Sequence, residues 1–430
     1  MTTSPHRNRR IGFISTRFRG TDGVSLETAK WAHVLERLGH TCFYFAGASD
    51  RAPERACIVP EALFTHPDIH AIYVTAFSQR TRPRESTARI HQFKDYLKEQ
   101  IYAFVRAFEI ELVIVENALT IPMNIPLGLA LAEFIAETGF PTIAHHHDFF
   151  WERKRFLVNC VWDYLNMAFP PHLPSIHHVV INSSGANQLS LRTGISSLLI
   201  PNVMDFDQPP SPPDEYARDV RAALGVESGE LLFLQPTRVV QRKGIEHAIE
   251  LIHRAGINAR LVISHASGDE GDAYERRVRE FAALLGAPTN FVADIIQEQR
   301  GATADGRKIY TLADVYPHAD LVTYPSDIEG FGNAFLEAVY FRRPIVVNSY
   351  SIYDIDIKPK GFRVIEFDGY VTDETIRLTR QVLADRQLAD EMTEHNYQVA
   401  KHHYSYAMLE RRLEMLLADC FGEQHMRNSL

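Results

Sequence analysis

Glu329 and Glu337 are two acids separated by seven residues, and Gly330-Phe331-Gly332-Asn333 lies between them. An apolar run, Leu321–Tyr324, precedes the pair, and a helical pattern starts at Gly332. Glycines there let backbone N–H groups approach a ligand, and a helix N-terminus favours negative charge. Glu337 follows Asn333 by four positions, which puts it on the same helix face one turn further in. The two carboxylates can then address one site from different depths. The plainer alternative is a capped helix carrying two solvated acids; the strand, glycine loop and helix in succession argue for a site.

A second constellation, Gln235–Gly244 (QPTRVVQRKG), also follows an apolar run. Arg238, Arg242 and Lys243 gather where the next helix begins. A guanidinium fork and a point charge at that place suit a diphosphate. A third, Pro141–Phe156 (PTIAHHHDFFWERKRF), sets His145, His146, His147 and Asp148 at the end of another strand. Imidazole and carboxylate are common zinc ligands. Alternation along a strand lets at most two of the three histidines face one ion, and no H-E-x-x-H helix adds ligands. Buried or capping histidines are the competing reading. We expect no metal.

Such residues need strand ends to hold them. In the first half, strands are expected at Ile11–Ser15, Thr41–Phe45, Ala71–Thr75, Leu112–Val115, Pro141–Ala144 and Val179–Ile181, with helices such as Val24–Leu38 and Glu85–Phe108 between. Alternation resumes with Leu231–Gln235, Arg260–Ser264, Asn290–Asp294, Leu321–Tyr324 and Pro344–Asn348. Three helical stretches close the chain, the last over Tyr406–Phe421. Between the halves, Met204–Asp214 crowds Pro209, Pro210, Pro212 and Pro213 into a linker. The fold class is therefore α/β, with two doubly wound Rossmann-like domains facing across a cleft. Their expected spans are 1–205 and 206–400, with residues 401–430 as a C-terminal helix packing back across the domains.

Bulk properties narrow the function. Lys and Arg number 45 against 54 Asp and Glu, a net charge of −9, which excludes a general nucleic-acid binder. The four cysteines form no C-x-x-C pair, as in a reducing compartment. The polar opening MTTSPHRNRR lacks the apolar core of a signal peptide, and no run reaches the roughly 20 residues of a membrane span. The expected localisation is cytoplasmic, and a homo-oligomer is compatible with the chain.

Together the Glu329–Glu337 segment, the R-x-x-x-x-K-G of Arg238–Gly244, IPNVMDF at Ile200–Phe206 and the opening TDGVSLETAKWAHVLERLGH resemble glycosyltransferase family 4, retaining enzymes of the GT-B fold. The resemblance runs over nearly the whole chain. It implies a hexosyltransferase with a nucleotide-sugar cosubstrate, of UDP-glucose or GDP-mannose type, and no required cofactor. Arg238 and Lys243 would hold the leaving diphosphate in place of a metal. Glu329 would stand beside the transferred sugar, and Glu337 would accept from the donor ribose. Backbone groups around Gly330, Phe331, Gly332 and Asn333 would bind hydroxyls or phosphate oxygens. Gly23 would allow close approach to the diphosphate, although Asp22-Gly23 stands where many relatives have two glycines. A histidine would sit near the donor sugar, His147 first and His145 second.

Arg17 and Arg19 of the first loop, with Asp148, Arg153, Lys154 and Arg155 of the third, would form the acceptor side. Five cations in a chain of negative charge suit a small anionic acceptor, a sugar phosphate or a glycerate-type glycoside. Surface ion pairs with Glu152 and Glu27 are the alternative. Two other functions fit the fold. A nicotinamide-dependent oxidoreductase needs G-x-G-x-x-G after a strand, which neither Ser15–Gly23 nor Gln235–Gly244 supplies. A non-catalytic nucleotide-sugar-binding module would not need Arg238, Lys243, Glu329 and Glu337 together.

Overall fold

The computed structural model describes residues 8–20, 22–268 and 271–422. The polar residues 1–7 of the opening, Thr21 and the last eight residues, 423–430, lie outside this range. The chain forms two compact units. One runs up to Asn202 and regains the helix Tyr406–Phe421; the other is Val203–Ser405.

In the first unit, seven parallel strands form one sheet: β1 (Arg10–Ile14), β2 (Thr41–Ala46), β3 (Ala56–Ile58), β4 (Leu112–Glu116), β5 (Thr142–His146), β6 (Ile176–Val180) and β7 (Leu198–Leu199). Their order is β3-β2-β1-β4-β5-β6-β7. All five residues of β4 are buried, as a strand covered on both faces requires. Phe45, Val113, Val115, Leu127, Leu131 and Phe134 fill one side of this core. Asp22 caps the first helix, Gly23–Arg37, by accepting from the Ser25 N–H at 3.1 Å. Asn124 does the same for Ile125–Thr138 at 3.0 Å, and that helix ends on Gly139 in the left-handed region.

The expected strand at Ala71–Thr75 is instead part of a helix, Pro67–Ser78. Pro67 pre-sets its first turn, and Ile69, Ile72 and Ala76 are the residues it buries. That spacing belongs to a helix; the β-branched residues between suggested a strand falsely.

The second unit has a six-stranded parallel sheet: β8 (Leu231–Gln235), β9 (Ala259–Ile263), β10 (Thr289–Phe291), β13 (Leu321–Tyr324), β14 (Ile345–Asn348) and β15 (Ile365–Phe367), ordered β10-β9-β8-β13-β14-β15. A small antiparallel pair, β11 (Gly301–Ala302) and β12 (Lys308–Ile309), stands apart. Phe233, Ile249, Leu261, Ile263, Val346 and Met392 lie in its main core, each large aliphatic side chain contributing roughly 1.5–3 kcal/mol by burial.

In both sheets the strand order reverses at one point, between β1 and β4 in the first and between β8 and β13 in the second. Ligands in such sheets bind outside the carboxyl ends of the strands at the reversal. The loops after β1, β4, β8 and β13 are the ones so placed.

Candidate active site

In the second unit, the loops after β8 and β13 meet. Gly244 has φ +56°, and a Cβ there would lie 2.4 Å from the Pro325 carbonyl oxygen. Only glycine lets the two loops approach this closely. Across that contact the Lys243 ammonium forms an ion pair with Glu329, and Arg242 Nη1 stands 3.5 Å from the other carboxylate oxygen. The Asp327 N–H donates to the Arg242 carbonyl at 2.9 Å, fixing the loops to each other. Burial pulls the Lys243 ammonium below its usual range against the attraction of Glu329. Burial would raise the Glu329 carboxyl, but Lys243 and then Arg242 hold it below the ordinary value, so it is ionised.

Arg238 is exposed and has no acidic partner among the described residues. Its guanidinium lies 3.8 Å from a Cβ position on Gly268, in the loop after β9. His265 of that loop is held below the usual imidazole range by burial, then by Arg238 and Lys243. The arrangement is a guanidinium fork with no acidic partner among the described residues and a buried ammonium paired with Glu329, at the strand-order reversal of the sheet. It is suited to an anion that spans both cations.

The Gly330–Asn333 segment is built from below. Phe331 is buried with its ring 5.4 Å from that of Tyr404, and its carbonyl accepts from the Tyr350 hydroxyl at 2.8 Å. Phe331 therefore has only its backbone to offer a ligand. Gly332, at φ +138°, precedes the helix Asn333–Tyr340, and a Cβ on it would meet the Tyr350 hydroxyl at 2.6 Å. Half-buried Glu337 accepts from the Tyr316 hydroxyl at 2.8 Å. Tyr316 was not foreseen, and a buried tyrosine in a turn gives no sequence signal.

In the first unit, the three histidines separate by face. His146 turns away to His178, Nε2 to Nδ1 at 2.8 Å. Burial holds His146 well below the usual imidazole range and His178 down at about 4. His145 and His147 share the other face with ring centroids 4.4 Å apart. The carboxylate they meet is that of Glu116, the last residue of β4, and not Asp148 as the sequence suggested. Glu116 Oε2 lies 3.0 Å from His145 Nδ1 and 3.1 Å from His147 Nε2. Asp148 is drawn off instead by an ion pair with Arg153 and a 2.9 Å bond from Asn117 Nδ2. Asn117, at φ +60°, also accepts from the His147 N–H at 3.1 Å, clipping the end of β4 to the loop after β5.

Glu116 is fully buried. Burial pushes its carboxyl up, but His145 and then His147 overcome this and hold it down at about 2. His147 is raised: burial opposes its charge, and Glu116, Glu27 and Asp148 favour it. This is the one group of three His, Cys, Asp or Glu donors among the described residues that converge within 4.8 Å. His147 Nε2 hydrogen-bonds that oxygen, while His145 Nδ1 lies close to it without a hydrogen bond. Glu116 escaped the sequence reading, although an acid ending the apolar run LVIVE occupies a strand-end position of the kind sought.

The remaining expected residues lie on the loops of this unit. Arg17 pairs with Asp22 at 3.3 Å and not with Glu27. Glu27 is fully buried and pairs with Lys30 at 3.0 Å. Glu152 accepts from the Phe149 N–H at 2.8 Å instead of pairing with Arg153. Arg19 and Lys154 are exposed, and the Arg155 guanidinium lies 4.8 Å from the centre of the Phe156 ring. Gly23 begins the first helix, directly after its cap.

The mannosylglucosylglycerate synthase of Petrotoga mobilis is 30% identical over 83% of this chain and 86% of its own length. The chain belongs to the glycosyltransferase family of the mannosylglucosylglycerate synthases. The Thermotoga maritima synthase of the same name is 29% identical to this glycosyltransferase over 93% of the chain and 98% of its own. Among solved structures, sucrose-phosphate synthase from Thermosynechococcus elongatus superposes with a TM-score of 0.67 at 15% identity, covering 97% of this chain and 100% of the other. A glycosyltransferase from Rickettsia africae gives 0.67 at 13% identity with the same coverage. The fold of this glycosyltransferase is thus GT-B. No protein-family model matches the sequence. No helix among the described residues is long and apolar enough to cross a membrane.

Proposed function

We propose that this glycosyltransferase works as family 4 enzymes do, moving a mannosyl group with retention from a nucleotide diphosphate donor to a small anionic glycoside of glycerate. The observation that carries the reading is the ion pair of Lys243 with Glu329 at the strand-order reversal of the second sheet, in the loop that also carries Arg238, in a chain whose full-length relatives are named for mannosylglucosylglycerate synthesis. Breaking the bond between sugar and diphosphate builds negative charge on the leaving group and oxocarbenium character on the ring. Arg238 and Lys243 stabilise the first without a metal; Glu329 stands beside the second. In this reading Lys243 exchanges part of its pairing with Glu329 for the diphosphate. Glu337, oriented by Tyr316, receives the ribose hydroxyls, and backbone groups of Gly330–Asn333 hold the sugar or phosphate. Gly23 gives the diphosphate room, and His147 hydrogen-bonds the sugar.

Arg17, Arg19, Lys154 and Arg155, with Arg153 steadied by Asp148, serve the acceptor's carboxylate. The test is to incubate the enzyme with GDP-mannose or UDP-glucose and with glucosylglycerate, glycerate or a neutral glucoside, and to follow products by proton NMR. The expected result is an α-linked mannosyl product on glucosylglycerate with release of the nucleoside diphosphate. A β-linked product would refute retention, and equal use of the neutral glucoside would refute the anionic acceptor.

A further inference from the structure

We propose that Glu116 is a positioning residue that holds His147 as an imidazolium, with Nε2–H on the buried carboxylate and Nδ1–H left to donate to the transferred sugar. The proposal rests on the reading of His147 as the residue that meets that sugar, and adds its charge state and the group that sets it.

The geometry begins with one oxygen. Glu116 Oε2 is hydrogen-bonded by His147 Nε2 at 3.1 Å, and His145 Nδ1 lies 3.0 Å from it without forming a hydrogen bond. A carboxylate without access to water needs a compensating positive charge. The nearby buried acid, Glu27 on the first helix, has Lys30 at 3.0 Å, so Glu116 finds its counter-charge in the histidines. His145 is sealed, with its ring stacked 4.2 Å from that of Trp31. His147 keeps about a tenth of its side chain exposed and is faced by three carboxylates, those of Glu116, Glu27 and Asp148. We assign the charge to His147, the one of the two that hydrogen-bonds the carboxylate and keeps contact with solvent. Arg153, paired with Asp148, is the cation on the loop side.

With Nε2 committed to Glu116, Nδ1 is the nitrogen that has no partner among the described residues. Its orientation is fixed from behind by the His147 N–H on Asn117. A doubly protonated ring in this position is a hydrogen-bond donor and cannot act as a base. This fits a retaining transfer, in which the histidine steadies the sugar and the leaving group takes the proton of the acceptor.

The sign of the pH dependence follows. A histidine held above its ordinary value is charged below that value and loses its proton as pH rises through it. Turnover should therefore fall on the alkaline side. In Glu116→Gln, which keeps the shape and removes the charge, the fall should come at least about one pH unit lower, with kcat reduced and the donor KM nearly unchanged. Nitrogen-15 histidine NMR of the wild-type protein gives a second readout that needs no Glu116 variant. Two-bond proton–nitrogen correlations, assigned through His147→Gln and His145→Gln, should show both His147 nitrogens protonated at pH 7.

A neutral His147 at pH 7, an alkaline limb unmoved in Glu116→Gln, or a stoichiometric divalent ion bound at these residues in the purified protein would each overturn the proposal. Full turnover in His147→Gln, with an imidazolium still seen in the wild type, would instead overturn the placement of His147 at the sugar and leave the Glu116 pairing standing.

Discussion

Glu116 and Glu329 occupy comparable places in their own units. Glu116 ends β4 beside the reversal of the first sheet; Glu329 follows β13 beside the reversal of the second. Glu116 is fully buried, Glu329 keeps 9% of its side chain exposed, and both are held ionised by groups gathered from a neighbouring strand end. The partners differ. Glu329 is held by a lysine and an arginine, whose ordinary titration lies far above neutrality, and Glu116 by histidines, which titrate near it. The same strand-end architecture thus sets one carboxylate beside cations of ordinarily high pKa and the other beside His147, which responds to pH near neutrality.

The largest expected effect tests the clamp. Lys243→Ala and Arg238→Ala should each lower kcat by about two orders of magnitude, roughly 3 kcal/mol, because both meet charge that grows in the transition state. Steady-state kinetics beside circular dichroism would check this. Near-normal turnover in well-folded variants would dissolve the contrast between the two carboxylates.

Acid stability sharpens the other half. Glu116 has its folded value at about 2 against an ordinary 4.5. Its contribution is complete above about pH 4.5 and is lost as pH falls toward 2. The contribution is on the order of a few kcal/mol. Melting temperature against pH should therefore drop through that window in the wild type and drop less in Glu116→Gln. Equal slopes would show that the histidines do not hold this carboxylate down.

Gly244→Ala probes the loop contact under the clamp. A positive φ and the Pro325 carbonyl at 2.4 Å predict a loss of about 1–3 kcal/mol in stability, measured by urea unfolding, together with reduced turnover. Smallest is the acceptor effect. Neutralising Lys154 and Arg155 together should raise the acceptor KM several-fold, more steeply at low salt, and leave the donor KM unchanged. A matching rise in the donor KM would remove the division of labour between the units.

How much of this was legible in the sequence depended on whether chemistry and spacing coincided. The placement of Arg238, Lys243 and Glu329 was readable because they sit in short loops directly after strongly apolar strands, where strand-end position and residue type agree. The helix at Pro67–Ser78 was not, because a few β-branched residues outweighed a helical spacing of buried ones. Of the histidines, alternation along β5 was enough to separate His146 from His145 and His147. Their carboxylate was not foreseen, since Asp148 is adjacent in sequence while Glu116 comes from the neighbouring strand, paired in register with His145. Contacts between strands are set by sheet order, which a single sequence does not display. Tyr316 under Glu337 was hidden because a buried tyrosine in a turn carries no sequence signal.

The central claim is that the cations after β8 bind a nucleoside diphosphate. Thermal melting with saturating GDP, UDP and ADP tests it directly, since a ligand at about 100 times its Kd stabilises the native state by roughly 2.7 kcal/mol. One of the three should raise the melting temperature of the wild type by several degrees, without added metal and in the presence of EDTA, and should fail to do so for the Arg238→Ala, Lys243→Ala double variant. A shift that survives in the double variant, or one that EDTA abolishes, would contradict the account.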